Sequence, residues 1–328
     1  MKTIKKLLVA GLLTLSVGMG WLAWYAVRPL PLAQLPQQFS VTPGTSLNGL
    51  AVQLAKAGIV DHPLAFRILG RVMGKSSTIR AGVYTLEAPI TPAQLYGKME
   101  RGEVTQAAIR FIEGWNLHEV RGALLASSDL RHDSLSMSDA DLAAAVGAPE
   151  STPEGLFFPD TYFFSPGSSD LDILRRAYRV AQGRLIKAWQ TRAAGLPYQS
   201  PYEALIMASI IEKETGLSEE RPLIAAVFLN RLKLGMRLQT DPTVIYGLGE
   251  RFDGNLRKPD LERDTVYNTY VRKGLPPTPI SMPGEASILA ALNPAQSRAL
   301  YFVSKGNGSH AFSDNLAEHN QAVNRYQR

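Results

Sequence analysis

Ala204-Leu-Ile-Met-Ala-Ser-Ile-Ile-Glu-Lys-Glu-Thr215 is apolar on nearly every side of a helix and then ends in two carboxylates. A helix with so little polar surface belongs inside a domain, so the larger core is expected to form around it. At about 100° per residue, Glu212 falls with Ser209 and Lys213 on what reads as the solvent side. Glu214 falls opposite, one turn after Ile210 and two turns after Met207. Burial and the negative end of the helix dipole both favour the neutral acid, so Glu214 is expected to have a raised pKa and to be available as a general acid. Glu-Lys-Glu is equally what a helix shows where it runs out into water, and the segment alone leaves both readings open.

Around this helix, 328 residues with 45% hydrophobic content suffice for an anchor, a small domain and one larger core. The net charge of +6 is spread along the chain. It suits anionic surfaces, membranes and cell-wall polymers among them; no basic block is interleaved with aromatics, so nucleic acid is not an expected partner. The absence of cysteine excludes disulfides, thiol catalysis and cysteine metal sites. Five histidines without close pairing provide no metal-ligand spacing, and no metal or cofactor is expected. Neither Gly-x-Ser-x-Gly nor a phosphate-binding loop occurs, and Ser313-Asp-Asn315 stands without any Ser-x-x-Lys.

Upstream, Met1-Lys-Thr-Ile-Lys-Lys6 precedes an apolar run from Leu7 to Val27. About 20 such residues cross a bilayer as a helix. A cleaved signal has a shorter apolar region closed by small residues, whereas this run closes on Trp21, Trp24 and Tyr25, read here as an interfacial aromatic belt. The lysines place residues 1–6 in the cytoplasm, with 7–27 as an uncleaved anchor. Residues 28–38, with Pro29, Pro31 and Pro36, read as an extended spacer. Residues 39–103 then predict strand, helix, helix, strand: Phe39-Ser-Val-Thr-Pro-Gly44, a helix capped by Thr45 or Ser46, a second after Pro63, and Gly82-Val-Tyr-Thr-Leu86, with a further helix from Thr91-Pro92 to Arg101-Gly102. This order and the start Val-Thr-Pro-Gly-Thr-Ser resemble the LysM glycan-binding fold; a module that only positions the next domain reads equally well.

Downstream, Ala107-Ala-Ile-Arg-Phe-Ile112 predicts a strand, and Asn116 caps a helix to about Ser127. Glu154-Gly-Leu-Phe-Phe-Pro-Asp-Thr-Tyr-Phe-Phe164 is the most aromatic stretch, which suits either the floor of a sugar cleft or a core strand. Leu171–Leu196 predicts a long amphipathic scaffold helix. Beyond the central helix, Ser218-Glu-Glu-Arg-Pro opens a second one, Asp241-Pro242 a third, and Glu285–Leu292 a fourth. Leu300-Tyr-Phe-Val303 and His310-Ala-Phe312 predict a hairpin around Lys305-Gly-Asn-Gly308.

Ala208-Ser-Ile-Ile-Glu-Lys-Glu-Thr215, Phe228-Leu-Asn-Arg-Leu232, Arg237-Leu-Gln-Thr-Asp-Pro-Thr-Val244, Tyr267-Asn-Thr-Tyr270, Gly274-Leu-Pro-Pro277 and the hairpin resemble, in this order, the membrane-bound endolytic murein transglycosylases, the YceG-like family. The resemblance covers essentially the whole chain. It implies an α+β protein: a single N-terminal transmembrane helix, a small LysM-like βααβ domain, and a larger mixed α+β catalytic domain at 104–328. It also implies a bitopic inner-membrane enzyme that cuts nascent peptidoglycan strands internally, leaves 1,6-anhydro-N-acetylmuramic ends and so terminates strand elongation. Glycan strands are the implied partner, with peptidoglycan synthases as candidate partners. The family's catalytic glutamate aligns with Glu214.

Glycosidases ordinarily set two carboxylates across the scissile bond. Glu212 and Glu214, two apart on one helix, point to opposite sides and cannot be such a pair. One acid without a partner suits a lytic transglycosylase. Glu212 is therefore expected in a supporting, solvent-side role, and Gln239, Thr240, Asp241, Tyr246, Tyr267, Asn268 and His310 are candidates for holding the sugars. The rival expectations are a membrane-tethered peptidoglycan-binding scaffold without catalysis and a conventional hydrolase.

Overall fold

The structure, a computed structural model, describes residues 2–75 and 78–327. The outer limits expected at Met1 and Arg328 lie outside the described residues, as do Ser76 and Ser77 within the expected small domain. The chain divides into two units, one running to residue 107 and taking in 163–167, the other made of 108–162 and the chain from 168 onward.

In the first unit, α1 (Lys2–Val27) is long and apolar enough to cross a membrane. It is followed by β1 (Gln37–Val41), α2 (Leu47–Lys56), α3 (Pro63–Val72), β2 (Gly82–Leu86) and α4 (Pro92–Arg101). The predicted strand, helix, helix, strand order is present, and β1 pairs antiparallel with β2 from Gln37 opposite Leu86 to Val41 opposite Gly82. Ser46, not Thr45, caps α2 by accepting the Gly49 N–H at 3.1 Å. Thr91 and Gln94 close a reciprocal capping box on α4, which Gly102 ends in the left-handed conformation. Leu50, Leu54, Leu95 and Met99 form the core with two stacked pairs, Phe39 on Tyr84 and Phe66 on Tyr96.

Two expectations change here. Tyr25, expected in an aromatic belt, is 1% exposed and belongs to this core. The expected spacer is docked at its start: Leu30 is buried and its N–H donates to the Ile90 carbonyl at 2.8 Å. Burying Tyr25 and Leu30 removes more apolar surface from water than a free proline linker would.

The second unit contains β3 (Ala107–Arg110, beginning at the boundary), α5 (Leu117–Ala126), β4 (Leu130–Arg131), α6 (Asp139–Val146), β5 (Thr161–Phe164, ending at the boundary), β6 (Ser168–Ser169), α7 (Asp170–Gln190), α8 (Pro201–Glu214), α9 (Arg221–Lys233), α10 (Asp241–Leu248), α11 (Lys258–Glu262), α12 (Glu285–Leu292), β7 (Tyr301–Ser304), β8 (His310–Ser313) and α13 (Leu316–Tyr326). Helix α8 is the hub, packed by α7, α9, α10 and α12. Every residue from Ala204 to Ile211 is buried, as its all-round apolar pattern demands. Leu185 of α7, Phe228 of α9 and Ile288 of α12 share its core. Asn116 caps α5 in a box with Glu119. The β7–β8 hairpin sets Phe302 opposite Phe312 and Ser304 opposite His310.

Helix α7 stops at Gln190, short of the expected Leu196, because the chain turns to let the Ala193 N–H reach the Leu292 carbonyl at 3.0 Å. The aromatic stretch resolves toward core: Leu156, Phe157, Phe158 and Tyr162 are buried, and the Tyr162 hydroxyl turns inward onto the Phe158 carbonyl at 2.7 Å. Gly155 permits this packing. It has φ +75°, and a Cβ there would meet Pro279 Cβ at 2.3 Å.

Candidate active site

Glu214 is the last residue of α8. It is half-buried, and protein surrounds its carboxyl closely enough that desolvation dominates its titration. Its pKa is pushed up to about 7, first by burial and also by the neighbouring Asp241 charge. A hydrogen bond from Thr240 Oγ1 to Glu214 Oε1, and the positive charges of His310 and Arg231, pull the other way.

Thr240 reaches Glu214 from a pinned segment. Gln239 sits at φ +53°, a conformation that a non-glycine residue adopts only when its surroundings enforce it. The enforcing contacts come from Thr269: its carbonyl accepts the Gln239 N–H at 3.1 Å and its hydroxyl accepts the Thr240 N–H at 3.1 Å. Thr243 Oγ1 then donates to the Thr240 carbonyl at 2.8 Å. Asp241 follows with an exposed carboxylate that accepts from the Tyr270 hydroxyl at 2.5 Å.

The Glu212 carboxylate, expected on the solvent side of α8, is not there. The Glu212 side chain is 5% exposed, pairs with Arg221 at 3.0 Å and accepts the Gly284 N–H at 2.9 Å. Ser209, expected to face water with it, is fully buried; its hydroxyl accepts the Ile280 N–H at 3.0 Å, and its carbonyl accepts from Ser281 Oγ at 3.1 Å. The polar stripe of α8 therefore fastens the extended segment 280–284, whose backbone groups need partners, and Glu212 is held inside that joint.

His310 is brought to the same neighbourhood and clasped. Glu220 Oε1 accepts its backbone N–H at 2.9 Å, and Oε2 lies 2.7 Å from Nδ1, with both side chains 13% exposed. This holds the ring from its Nδ1 side. Arg231, 8% exposed, donates to the carbonyls of Leu300 and Leu238 at 2.7 Å each and lies over the Tyr301 ring, fixing the hairpin beside α9.

Tyr246 and Tyr267 meet edge to face at 4.8 Å. The Tyr267 hydroxyl pairs with Thr278 at 2.9 Å, and the Tyr246 hydroxyl donates to Glu154 at 3.0 Å. Glu154 is 3% exposed and also accepts N–H groups of Leu117 and Gly155; burial nevertheless pushes it up to about 7. Asn268 does not fit the sugar-holding expectation. It is 1% exposed, its amide donates to the carbonyls of Asp260, Leu261 and Arg263, and its Oδ1 accepts the Tyr270 N–H. It staples the loop on which Thr269 and Tyr270 stand.

Glu154, Glu220, Arg221, Arg231 and Thr269 escape the sequence reading. Glu220 looks like an ordinary first-turn acid, and its partner is 90 residues away. Glu154 carries the one available hint, a carboxylate leading into a run of core aromatics. Among the described residues, no group of three or more His, Asp or Glu side chains is placed to hold a metal ion. The arrangement has instead one poised acid, a clasped imidazole and exposed hydrogen-bonding groups at Gln239 and Asp241.

A family model described as YceG-like matches residues 39–325. The endolytic murein transglycosylase of Bacillus subtilis (strain 168) is 31% identical over 304 residues, covering 88% of this chain and 84% of that protein. That of Streptococcus pneumoniae serotype 2 is 26% identical over 315 residues, covering 85% of this chain and 56% of that protein. A crystal structure of a YceG-like protein from Listeria monocytogenes superposes with a TM-score of 0.54 at 29% identity, covering 87% of this chain and 97% of that one. The ordered motifs, the matched span and the shared fold agree: this chain belongs to the YceG-like family.

Proposed function

We propose that the chain is an endolytic murein transglycosylase, a lyase that cuts peptidoglycan strands between N-acetylmuramic acid and N-acetylglucosamine and leaves 1,6-anhydro ends, so terminating strand elongation. The relatives named endolytic murein transglycosylase support the general activity. The observation that carries the chemistry is the state of Glu214: a half-buried acid whose pKa is raised to about 7, so that both protonation states are accessible at neutral pH.

In the first step Glu214 gives its proton to the glycosidic oxygen as the bond to the muramic C1 breaks. In the second, the carboxylate takes the proton of the muramic 6-hydroxyl as that oxygen bonds to C1. The proton count closes and Glu214 is restored, with the internal hydroxyl in the place that water takes in a hydrolase. The substrate's acetamido group is proposed to stabilise the cationic centre. Gln239, Asp241, Tyr246, Tyr267 and His310 are the residues proposed to hold the sugars, and Thr240 tunes the acid.

In this reading α1 anchors the protein in the bacterial inner membrane with its amino terminus in the cytoplasm, the first unit is a LysM-like module, and the chain from 104 carries catalysis. Peptidoglycan synthases are proposed as partners. Mass spectrometry of glycan strands incubated with the protein tests the assignment. Anhydro ends support it, reducing ends identify a hydrolase, and binding without products identifies a scaffold.

A further inference from the structure

The outer end of α1 and the small unit share one core. Tyr25 is buried among Phe66 and Tyr96, and its hydroxyl donates to the His62 carbonyl at 3.5 Å. The Trp21 ring lies 5.8 Å from that of His62, and Arg28 pairs with Asp61 at 3.0 Å. A helix face that touches protein is not bathed by acyl chains. The stretch of α1 free on all sides therefore ends near Gly20, about 20 Å along the axis from Leu7, against a hydrocarbon core of about 30 Å. Flanking lysines relieve part of such a mismatch by snorkelling; the remainder draws the attached protein toward the interface.

One residue after His62, at this level of the anchor, α3 begins. Its inner side, Ala65, Phe66 and Leu69, is buried. Its outer side carries Leu64, Ile68 and Val72, 58%, 41% and 72% exposed, at the i, i+4, i+8 spacing that aligns them in one stripe, with exposed Arg71 alongside. An aliphatic stripe flanked by a cation is how an interfacial helix meets anionic lipid. Its continuity with the anchor favours the bilayer over a protein as its occupant.

We propose that α3 is a second membrane contact: the Leu64, Ile68 and Val72 stripe lies in the interface of the leaflet at the carboxyl end of α1, seating the small unit on lipid. This rests on the reading of α1 as a membrane anchor.

The chain contains no cysteine, so single cysteines can be introduced and labelled without background. Leu13→Cys, Ile68→Cys, Val72→Cys and Ala88→Cys would each carry an environment-sensitive fluorophore. The full chain is reconstituted into phosphatidylethanolamine–phosphatidylglycerol vesicles with or without doxyl-labelled lipid. Ala88 is the control, because it precedes Ile90, whose carbonyl binds the Leu30 N–H beyond the end of α1. The expected result is emission reduced by about twofold or more at 68 and 72 by a shallow doxyl group, and at 13 by a deep one, with 88 unaffected. Quenching at 13 with 68 and 72 no more quenched than 88 overturns the proposal and leaves the anchor standing. Labels at 68 and 72 that are shielded from solvent but not quenched identify a protein occupant and also overturn it. Absence of quenching at 13 overturns the anchor and the proposal together.

Discussion

The Thr240 hydroxyl donates a hydrogen bond to the carboxylate of Glu214, across 26 residues of sequence and from a segment whose backbone is held at a positive φ. The bond favours the charged form of Glu214 and so opposes the burial that raises its pKa. Thr240→Val keeps the shape and removes the donor. A general acid works protonated, so its activity falls as pH rises through its pKa. The alkaline limb, near pH 7 in the parent, is expected about one unit higher in the variant. A pH–rate profile of anhydro-product release checks this; an unmoved or acid-shifted limb contradicts it.

Glu154 makes a separate pH signature in stability. Its folded pKa, about 7, stands above its ordinary 4.5. Its contribution is therefore full below about pH 4.5 and is lost as pH rises through about 7, amounting to roughly 3 kcal/mol. Glu214 acts in the same direction. Chemical denaturation between about pH 4 and 8, which brackets both the ordinary and the folded value, is expected to show stability declining with pH. Glu154→Gln should flatten the decline, leaving the part due to Glu214. An equally steep decline in the variant would exclude Glu154 as its source.

The buried Glu212–Arg221 pair predicts a loss of fold. Arg221→Met leaves the Glu212 carboxylate inside the protein with the Gly284 N–H. The expected destabilisation is about 3 kcal/mol or more. Glu212→Gln added to Arg221→Met should recover part of it, because the unpaired charge is gone. Urea unfolding of the two single variants and the double variant reads the coupling directly, and additive losses would refute it.

Glu220 is expected to act through His310. Glu220→Ala removes both bonds that hold His310, one to its ring and one to its backbone N–H, and should lower turnover about tenfold. Glu220→Gln, which retains an acceptor for the backbone N–H, should lose less. His310→Ala in the Glu220→Ala background should cost little more than either change alone, since the two act as a unit. Independent, multiplicative losses in turnover would break the link.

The elements set by short-range chemistry are legible in the sequence. The caps at Ser46, Thr91 and Asn116, the proline starts of α3 and α4, and the buried body of α8 follow from residues within one or two turns of each other. Glu214 is legible for the same reason, since its place on the helix needs only the wheel. Glu212 is misread because a polar stripe on a helix can face another polar backbone instead of water, and segment 280–284 is far away in sequence. Asn268 is misread because an amide in a loop looks alike whether it holds a ligand or the loop itself. The contacts that tune the site, Thr240 on Glu214, Glu220 on His310 and Tyr246 on Glu154, join residues 26, 90 and 92 apart. Nothing local marks them.

In the proposed reaction Glu214 supplies and recovers the proton. The most direct measurement is mass spectrometry of glycan strands digested by the parent protein, by Glu214→Gln and by Glu212→Gln, each first checked for folding. Glutamine keeps the shape at 214 and cannot donate the proton, so anhydro-ended products are expected to fall about a thousandfold or more, while Glu212→Gln retains measurable activity. Anhydro products from Glu214→Gln at the parent rate would contradict the account.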